Sequence, residues 1–321
     1  FMSDLVQKCS VCRALLDEEE LFCANCGAEA EQDQANTATT TVITHHFSCE
    51  GCGASMSYDA EVRNLRCPFC GSEQVTPGKE KKAIAPVGCI PLAVSEASAM
   101  ETLKKWFGSS FWRPGDLVRE AKVEKIVPVY VPYWIFKAKT FTYWTADSSE
   151  TPPGARGDWY PLAGEHRGQH SGLLIGASST LSPQETYQIC PFDIGRALPP
   201  DQVDISHYVV EQFQVPRKYA RPLARQGLEK RERHDCQKYV PGRCRNLQVN
   251  TRIEELESSP YILPIWILAY RYKGQIYRFL MNGQTGRHTG TAPFSWAKCI
   301  AVIAAVVVVL ILLAAIAFAA A

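Results

Sequence analysis

The most apolar part of the chain is its last stretch, where residues Cys299 to Ala321 carry no charge. A helix rises about 1.5 Å per residue, so this stretch is long enough to cross the roughly 30 Å hydrocarbon core of a bilayer. It is apolar on every side, whereas helices at the surface of soluble domains keep a polar face. The pattern predicts one transmembrane helix over residues 297–321, acting as a tail anchor.

The charges beside this helix predict its orientation. Arg287, His288 and Lys298 precede it and no charge follows it, and positively charged residues favour the cytosolic side of a membrane. The first residues show no basic segment followed by an apolar one, so no secretory signal is indicated. We therefore expect a protein of the cytoplasmic membrane with its N-terminal body in the cytosol.

Between residues 86 and 296 the pattern is typical of an α+β body. Aromatic and β-branched residues predict strands in 127–147 and 261–290, and Lys-Gly and Asn-Gly pairs in the second stretch predict hairpin turns. Residues 147–172 are rich in Gly and Pro and are predicted to form a long surface loop. The predicted helices cover residues 97–107, part of 181–195, and 215–238.

The motif Pro-x-Trp-Ile occurs twice in this body, beginning at Pro132 and at Pro264. The repeat predicts a duplicated α+β body with an antiparallel sheet and lobes at 86–200 and 201–296. The alternative is that two edge strands acquired the same residues independently, since proline in sheets is confined to edges and bulges.

Composition adds metal chemistry to this picture. The 321 residues are 46% hydrophobic and 21% charged, which is typical of a globular protein with a sizeable core. Most of the 13 cysteines fall in Cys-x-x-Cys pairs. In a reducing compartment such pairs indicate metal sites rather than disulfides.

The cysteine pairs form two modules, residues 1–33 and 47–78, joined by a polar, Thr-rich stretch, 34–46, that is predicted to be a flexible linker. Two Cys-x-x-Cys turns place four sulfurs around one ion in a closed shell, so each module is predicted to be a small β zinc ribbon with one Zn²⁺. The predicted ligands are Cys9, Cys12, Cys23 and Cys26 in the first ribbon and Cys49, Cys52, Cys67 and Cys70 in the second. A rubredoxin-like iron site and a redox dithiol are the alternatives.

No other residues are predicted to carry chemistry. The sequence has no Gly-x-Ser-x-Gly, phosphate-binding glycine loop or His-Glu-x-x-His motif, so we expect no catalytic residue and no enzyme activity. His166 and His170 have the spacing of metal ligands on a helix, but the glycines around them favour a loop. His45 and His46 are predicted to be solvated. The thiols predicted to be buried or idle are Cys89, Cys190, Cys236, Cys244 and Cys299.

Charge argues against nucleic acid as the ligand of the ribbons. Acidic residues outnumber basic ones in residues 1–82, and an acidic run at 17–20 lies within the first ribbon, where it would repel phosphates. The predicted helix from Arg217 to Lys238 is basic. Its charges indicate contact with nucleic acid, with anionic lipid or with an acidic partner, or simply a solvated face.

Three segments together resemble a family of bacterial membrane proteins with TFIIB-type zinc ribbons, also described as similar to primosomal protein N-prime. They read CEGCGASMSYDAEVRNLRCPFCG (49–71), VYVPYWIF (129–136) and LPIWILAYRYKGQIYRFLMNGQTGRHTGTAPFSWAK (263–298). The resemblance covers most of residues 47–321, and the first ribbon is a variable addition to it. It implies an adaptor that organises membranes with SPFH (flotillin-like) or phage-shock-protein-A-like partners, and it carries over no catalytic residue.

The expected function is therefore a non-enzymatic adaptor that recruits protein partners to the cytosolic face of the membrane. Two alternatives stay open. One is a membrane-tethered regulator that binds nucleic acid, and the other is a cysteine-based metal or redox sensor.

Overall fold

The computed structural model describes residues 7–9, 11, 13, 15–16, 40–43, 46–57, 66–78, 81–120 and 126–320. Most of the first predicted ribbon lies outside these residues. Its described part is a short antiparallel ladder between β1 (Gln7–Lys8) and β2 (Leu15–Leu16).

The remaining strands are β3 (Thr40–Ile43), β4 (His46–Cys49), β5 (Ser55–Ser57), β6 (Val75–Pro77), β7 (Lys81–Ile84), β8 (Gly88–Cys89), β9 (Val127–Ser148), β10 (Tyr160–Gly176), β11 (Val209–Glu211), β12 (Cys244–Tyr272), β13 (Gln275–Asn282) and β14 (His288–Gly290). The helices are α1 (Glu96–Gly108), α2 (Leu117–Glu120), α3 (Pro183–Gln188), α4 (Arg217–Gln237) and α5 (Trp296–Ala320). The chain is thus a mixed α+β fold, and its helices and hairpins follow the predicted pattern, apart from α2.

One large sheet organises the described body. Its strands follow the order β14-β13-β12-β9-β11-β5-β4-β6, with β10 beside β9 and β8 beside β12. The second ribbon, β4 to β6, belongs to this sheet because β5 pairs with β11. The ribbon is therefore a continuation of the body's sheet.

Two unusually long strands, β9 and β12, pair antiparallel along nearly the whole of β9. Residues 134–148 of β9 and 244–260 of β12, with β10 at the edge, form a three-stranded arm. Helix α4 packs on one face of this arm, because every fourth helix residue from Ala220 to Cys236 is buried and together these residues form one stripe.

The two Pro-x-Trp-Ile motifs lie on the neighbouring antiparallel strands β9 and β12, each opposite the residues that precede the other motif. Trp134 donates its indole N–H to the carbonyl of Val215, just before α4, at 2.9 Å. Trp266 donates likewise to the carbonyl of Val94, just before α1, at 3.0 Å. The short parallel strands match as well, since β11 pairs with β9 just before the first motif and β8 pairs with β12 just before the second.

Two predictions for loop segments are wrong. Much of the predicted surface loop 147–172 is β10, because its glycines leave space for neighbouring side chains instead of making turns: a Cβ at Gly164 would overlap Trp144. Part of the predicted flexible linker, residues 40–43, is β3, which pairs with β7. The run of Thr, Val and Ile there favours a strand.

Candidate metal centre

The second ribbon presents two backbone turns of the same geometry. The N–H of Gly53 donates to the carbonyl of Cys49, and the N–H of Gly71 donates to that of Cys67, both at 2.8 Å. The two glycines have φ of 75° and 71°, a region that residues with a Cβ adopt at a cost. Glycine after each Cys-x-x-Cys pair therefore lets both turns aim their sulfurs at a common point.

The four thiols of these turns converge. The Sγ atoms of Cys49 and Cys70 are 3.6 Å apart, as are those of Cys52 and Cys67. All four ligand atoms lie within 4.8 Å of one another. Tetrahedral bonds of about 2.3 Å to zinc would separate the sulfurs by about 3.8 Å, so the group has the geometry to hold a metal ion.

The thiols shift one another's pKa values through their hydrogen bonds, and burial shifts them further. A hydrogen bond from Cys67 lowers the pKa of Cys52 to about 5, against the opposing effect of burial. The same bond, followed by burial, raises the pKa of Cys67. Burial raises the pKa of Cys70 to about 11. A metal ion would displace these protons, so its affinity should fall as the pH is lowered.

The ribbon shares its hydrophobic core with the body. Met56 and Phe69 are fully buried, in one cluster with residues of β9 and β12 such as Val131 and Leu263. Arg278 of β13 also donates its Nε to the carbonyl of Phe69 at 3.0 Å. The metal centre is therefore fixed to the main sheet.

One turn of the first predicted ribbon lies partly within the described residues. Cys9 is buried, and its carbonyl accepts from the N–H of Arg13 at 2.9 Å. Arg13 has φ of 57° and so takes the conformation that Gly53 and Gly71 take in the second ribbon. Its other predicted ligands, Cys12, Cys23 and Cys26, lie outside the described residues.

His46, predicted to be solvated, is buried in the second ribbon, and its Nε2 lies 2.7 Å from Ser55 Oγ. It is close to Gly78, where a Cβ would collide with the imidazole ring. The histidine thus packs between strands of the ribbon and takes no place in the four-cysteine group. His45 lies outside the described residues.

A cleft of about 1430 Å³ opens between the Cys67–Cys70 turn of the second ribbon and the body. The ribbon side contributes Arg66 and Glu73, and the body side includes residues 266–271 of β12. The pairing of β12 with β9 ends at Ile267, whereas β12 continues to Tyr272. Among the described residues no strand covers this edge of 268–272, and an open edge offers backbone donors and acceptors.

A second group of ligand-type side chains lies on the arm. His166 and His170 of β10 both contact the buried carboxylate of Glu232 on α4, and Cys236 lies one turn further along the helix. The spacing of both histidines was noted in the sequence, but the predicted loop gave no reason to expect Glu232 as their partner. The signal for Glu232 was its place in the buried stripe of α4.

Helix α5 is long and apolar enough to span a membrane, and nothing in the described chain buries it. Aromatic rings cluster at its start: Trp112 stacks on Phe294, which contacts Trp296 edge-on. Lys298 donates its Nζ to the carbonyls of Phe111 and Arg113 at 3.0 and 2.8 Å. The helix is therefore attached to the body through its first turn.

The basic side chains of α4 are largely engaged within the protein. Arg231 donates to the carbonyls of residues 171 and 172 on β10, and Arg233 donates to that of Leu247 on β12 at 2.6 Å. Arg225 pairs with Glu229 at 3.3 Å. The bonds of Arg231 and Arg233 hold the helix on the arm, whereas the Arg225–Glu229 pair lies on the exposed surface of the helix.

The comparisons with known proteins give one distant relative. The chain is 22% identical, over 312 residues, to the uncharacterized protein YdjG of Bacillus subtilis (strain 168). The aligned region covers 78% of this chain and 91% of YdjG. No protein-family model matches the chain. No solved structure matches it either.

Proposed function

We propose that this protein is a non-enzymatic, membrane-anchored adaptor whose zinc ribbons shape a binding surface for other proteins. The observation that carries this proposal is the closed set of four thiols built into the main sheet. Four protein sulfurs leave no open position for a substrate, so the ion acts on the fold. The Cys67–Cys70 turn, which the ion would make rigid, forms one wall of the cleft.

Zinc is the ion that we assign to this centre, held by Cys49, Cys52, Cys67 and Cys70. A second ion would occupy the first ribbon, where the turn at Cys9 supports the same geometry. Zinc is preferred over iron because closed four-thiolate ribbons in small β modules are typical structural zinc sites. Both ions would stabilise modules too small to fold on their own core.

The membrane placement rests on α5 and the rings at its start. Tryptophan and phenylalanine at the end of a spanning helix fit the bilayer interface, and basic residues there favour the cytosolic side. We therefore place the body at the cytosolic face of the cytoplasmic membrane. The basic residues of α4 add at most a minor lipid contact, since several are bound internally.

The cleft is the proposed docking site, and its occupant is an extended segment of a partner protein. Such a segment would add a strand to the open edge of β12, so that main-chain hydrogen bonds supply affinity. The family resemblance points to SPFH (flotillin-like) or phage-shock-protein-A-like partners. The two Trp contacts at equivalent places also support a duplicated body, with the two lobes joined along β9 and β12.

The test uses full-length protein recovered gently from its own membranes with bound proteins identified by mass spectrometry. Ala269 lines the cleft, so Ala269→Arg should fill it and lower the recovery of SPFH or phage-shock-type partners at least tenfold. Ala163→Arg is the matched control, because Ala163 is exposed on the edge strand β10. Both variants should insert into membranes and keep their metal.

Unchanged partner recovery with Ala269→Arg would refute docking in the cleft. Recovery of nucleic acid, lost in high salt and on replacing Arg225, Lys230, Arg231 and Arg233, would favour the regulator instead. Arg231 and Arg233 already bond to backbone carbonyls of β10 and β12, which argues against that outcome.

A further inference from the structure

Helix α4 buries a carboxylate within an otherwise apolar stripe. The residues of the stripe, all fully buried, are Ala220, Ala224, Leu228, Glu232 and Cys236. A buried carboxylate costs several kcal/mol unless other groups compensate its charge. The groups around Glu232 must therefore compensate its charge.

Three side chains from the strands hold the carboxylate. Thr140 of β9 donates its hydroxyl to Oε1 at 2.5 Å, and His170 Nε2 contacts the same oxygen. His166 Nδ1 lies 2.8 Å from Oε2. Burial alone would raise the pKa of Glu232, but the hydrogen bonds from Thr140, His170 and His166 outweigh it and lower the pKa to about 2. The carboxylate is thus ionised at neutral pH.

The strand β10 is adapted to this carboxylate. Gly168 lies midway between the two histidines, and a Cβ there would collide with Glu232 Oε1 and approach Thr140 Oγ1 to 2.5 Å. Alternate residues of a strand share a face, so His-x-Gly-x-His puts two imidazoles and one gap toward the helix. A side chain at the central position would displace the Glu232 carboxylate from this gap.

We propose that His166, Glu232 and Cys236 form a third metal site, separate from the ribbons, with Zn²⁺ as the ion that fits it. Their imidazole nitrogen, carboxylate oxygen and thiol sulfur all lie within 4.8 Å of one another. This mixture of N, O and S donors is characteristic of zinc. His170 and Thr140 hold the second carboxylate oxygen and so orient the ligand.

Metal binding here displaces protons. A metal ion would take the place of the hydrogen bond between His166 Nδ1 and Glu232 Oε2, and the Cys236 thiol would lose its proton to solvent. Burial, followed by the charges of Glu232 and Asp235, raises the pKa of Cys236 to about 11. The thiolate therefore forms together with the metal bond, and affinity should rise with pH.

The site differs from the ribbon centre in its coordination. Three protein ligands leave one tetrahedral position for water or for a group of another molecule. The His166 side chain is 15% exposed, so the site lies next to solvent beside β10. The ribbon centre, by contrast, has all four positions filled by protein sulfur.

The experiment counts metal in the full-length chain. The detergent-solubilised protein is loaded with Zn²⁺, freed of excess metal and measured by plasma mass spectrometry. His166→Gln and Cys236→Ser should each bind one equivalent less per chain than the wild type. His234→Gln is the matched control, because His234 lies exposed on the same helix, and it should bind as much as the wild type.

Cobalt substitution shows where the lost ion was bound. The difference spectrum between wild type and His166→Gln should show tetrahedral bands with a single weak thiolate-to-cobalt transition, while the strong band of the four-thiolate ribbon is unchanged. Equal metal content in wild type, His166→Gln and Cys236→Ser overturns the proposal. If Cys236→Ser also loses the ribbon band through misfolding, His166→Gln alone decides.

Discussion

Removing the metal from the second ribbon should destabilise the body as well as the ribbon. The perturbation is Cys52→Ser in the full-length chain, which removes one ligand. Cys244→Ser is the matched control, because both thiols are half-buried and Cys244 belongs to neither group of ligands. The consequence follows from the core that the ribbon shares with β9 and β12.

The size of the effect comes from the side chains that would lose this shared core. Met56 and Phe69 are both fully buried, and burying such a side chain contributes about 1.5–3 kcal/mol. Releasing both costs the body about 3–6 kcal/mol, an upper figure because unfolded chains already bury some surface. This is a large part of the roughly 5–15 kcal/mol that stabilises a typical domain.

Hydrogen exchange measured by mass spectrometry checks this expectation. At about 1.4 kcal/mol for each factor of ten, peptides covering 129–133 of β9 and 263–267 of β12 should exchange about two to four powers of ten faster in Cys52→Ser. Cys244→Ser should exchange like the wild type. If only peptides from 46–78 exchange faster in Cys52→Ser, the ribbon is an independent module and the reasoning is refuted.

Four further substitutions test separate groups by urea unfolding. Trp134→Phe and Trp266→Phe should each cost about 1–3 kcal/mol by leaving a carbonyl unpaired, and costs that differ severalfold would contradict equivalent roles. Gly168→Ala should destabilise the arm by pushing Glu232 away; wild-type stability would contradict this. Burial raises the pKa of Glu211 to about 7, so the folded state keeps the carboxyl proton to a higher pH than the unfolded chain does. The free energy of unfolding should therefore fall by about 3 kcal/mol between pH 4.5 and 7. Glu211→Gln should remove this fall, and an unchanged pH profile would show that another group causes it.

The sequence was informative wherever the determining interactions are local. The Cys-x-x-Cys pairs of the second ribbon, the hairpin turns after β12 and the helices α1 and α4 depend on residues close in the chain, and the structure has them as predicted. The apolar stretch at the end of the chain likewise forms α5. Short-range turn chemistry and periodicity are sufficient for such elements.

Distant contacts explain what the sequence did not reveal. The union of the ribbon with the body depends on the pairing of Val210 with Ser57, which no local pattern records. The glycines of β10 suggested a loop because their role is visible only beside Trp144 and Glu232. A glycine that makes room and a glycine that makes a turn are alike in sequence, and only the neighbouring element distinguishes them.

The basic residues of α4 are another case in which the sequence did not reveal contacts with distant parts of the chain. Counted along the chain they favoured a solvated or anion-binding face, yet Arg231 and Arg233 are used to bind the helix to β10 and β12. That clamping keeps Glu232 against its histidines, just as Arg278 keeps the ribbon turn against β13. In both places arginine bonds to backbone carbonyls hold a ligand-bearing element on the sheet. A metal centre at the ribbon end and a second one on the arm would then stabilise the same pair of strands, β9 and β12, from opposite ends.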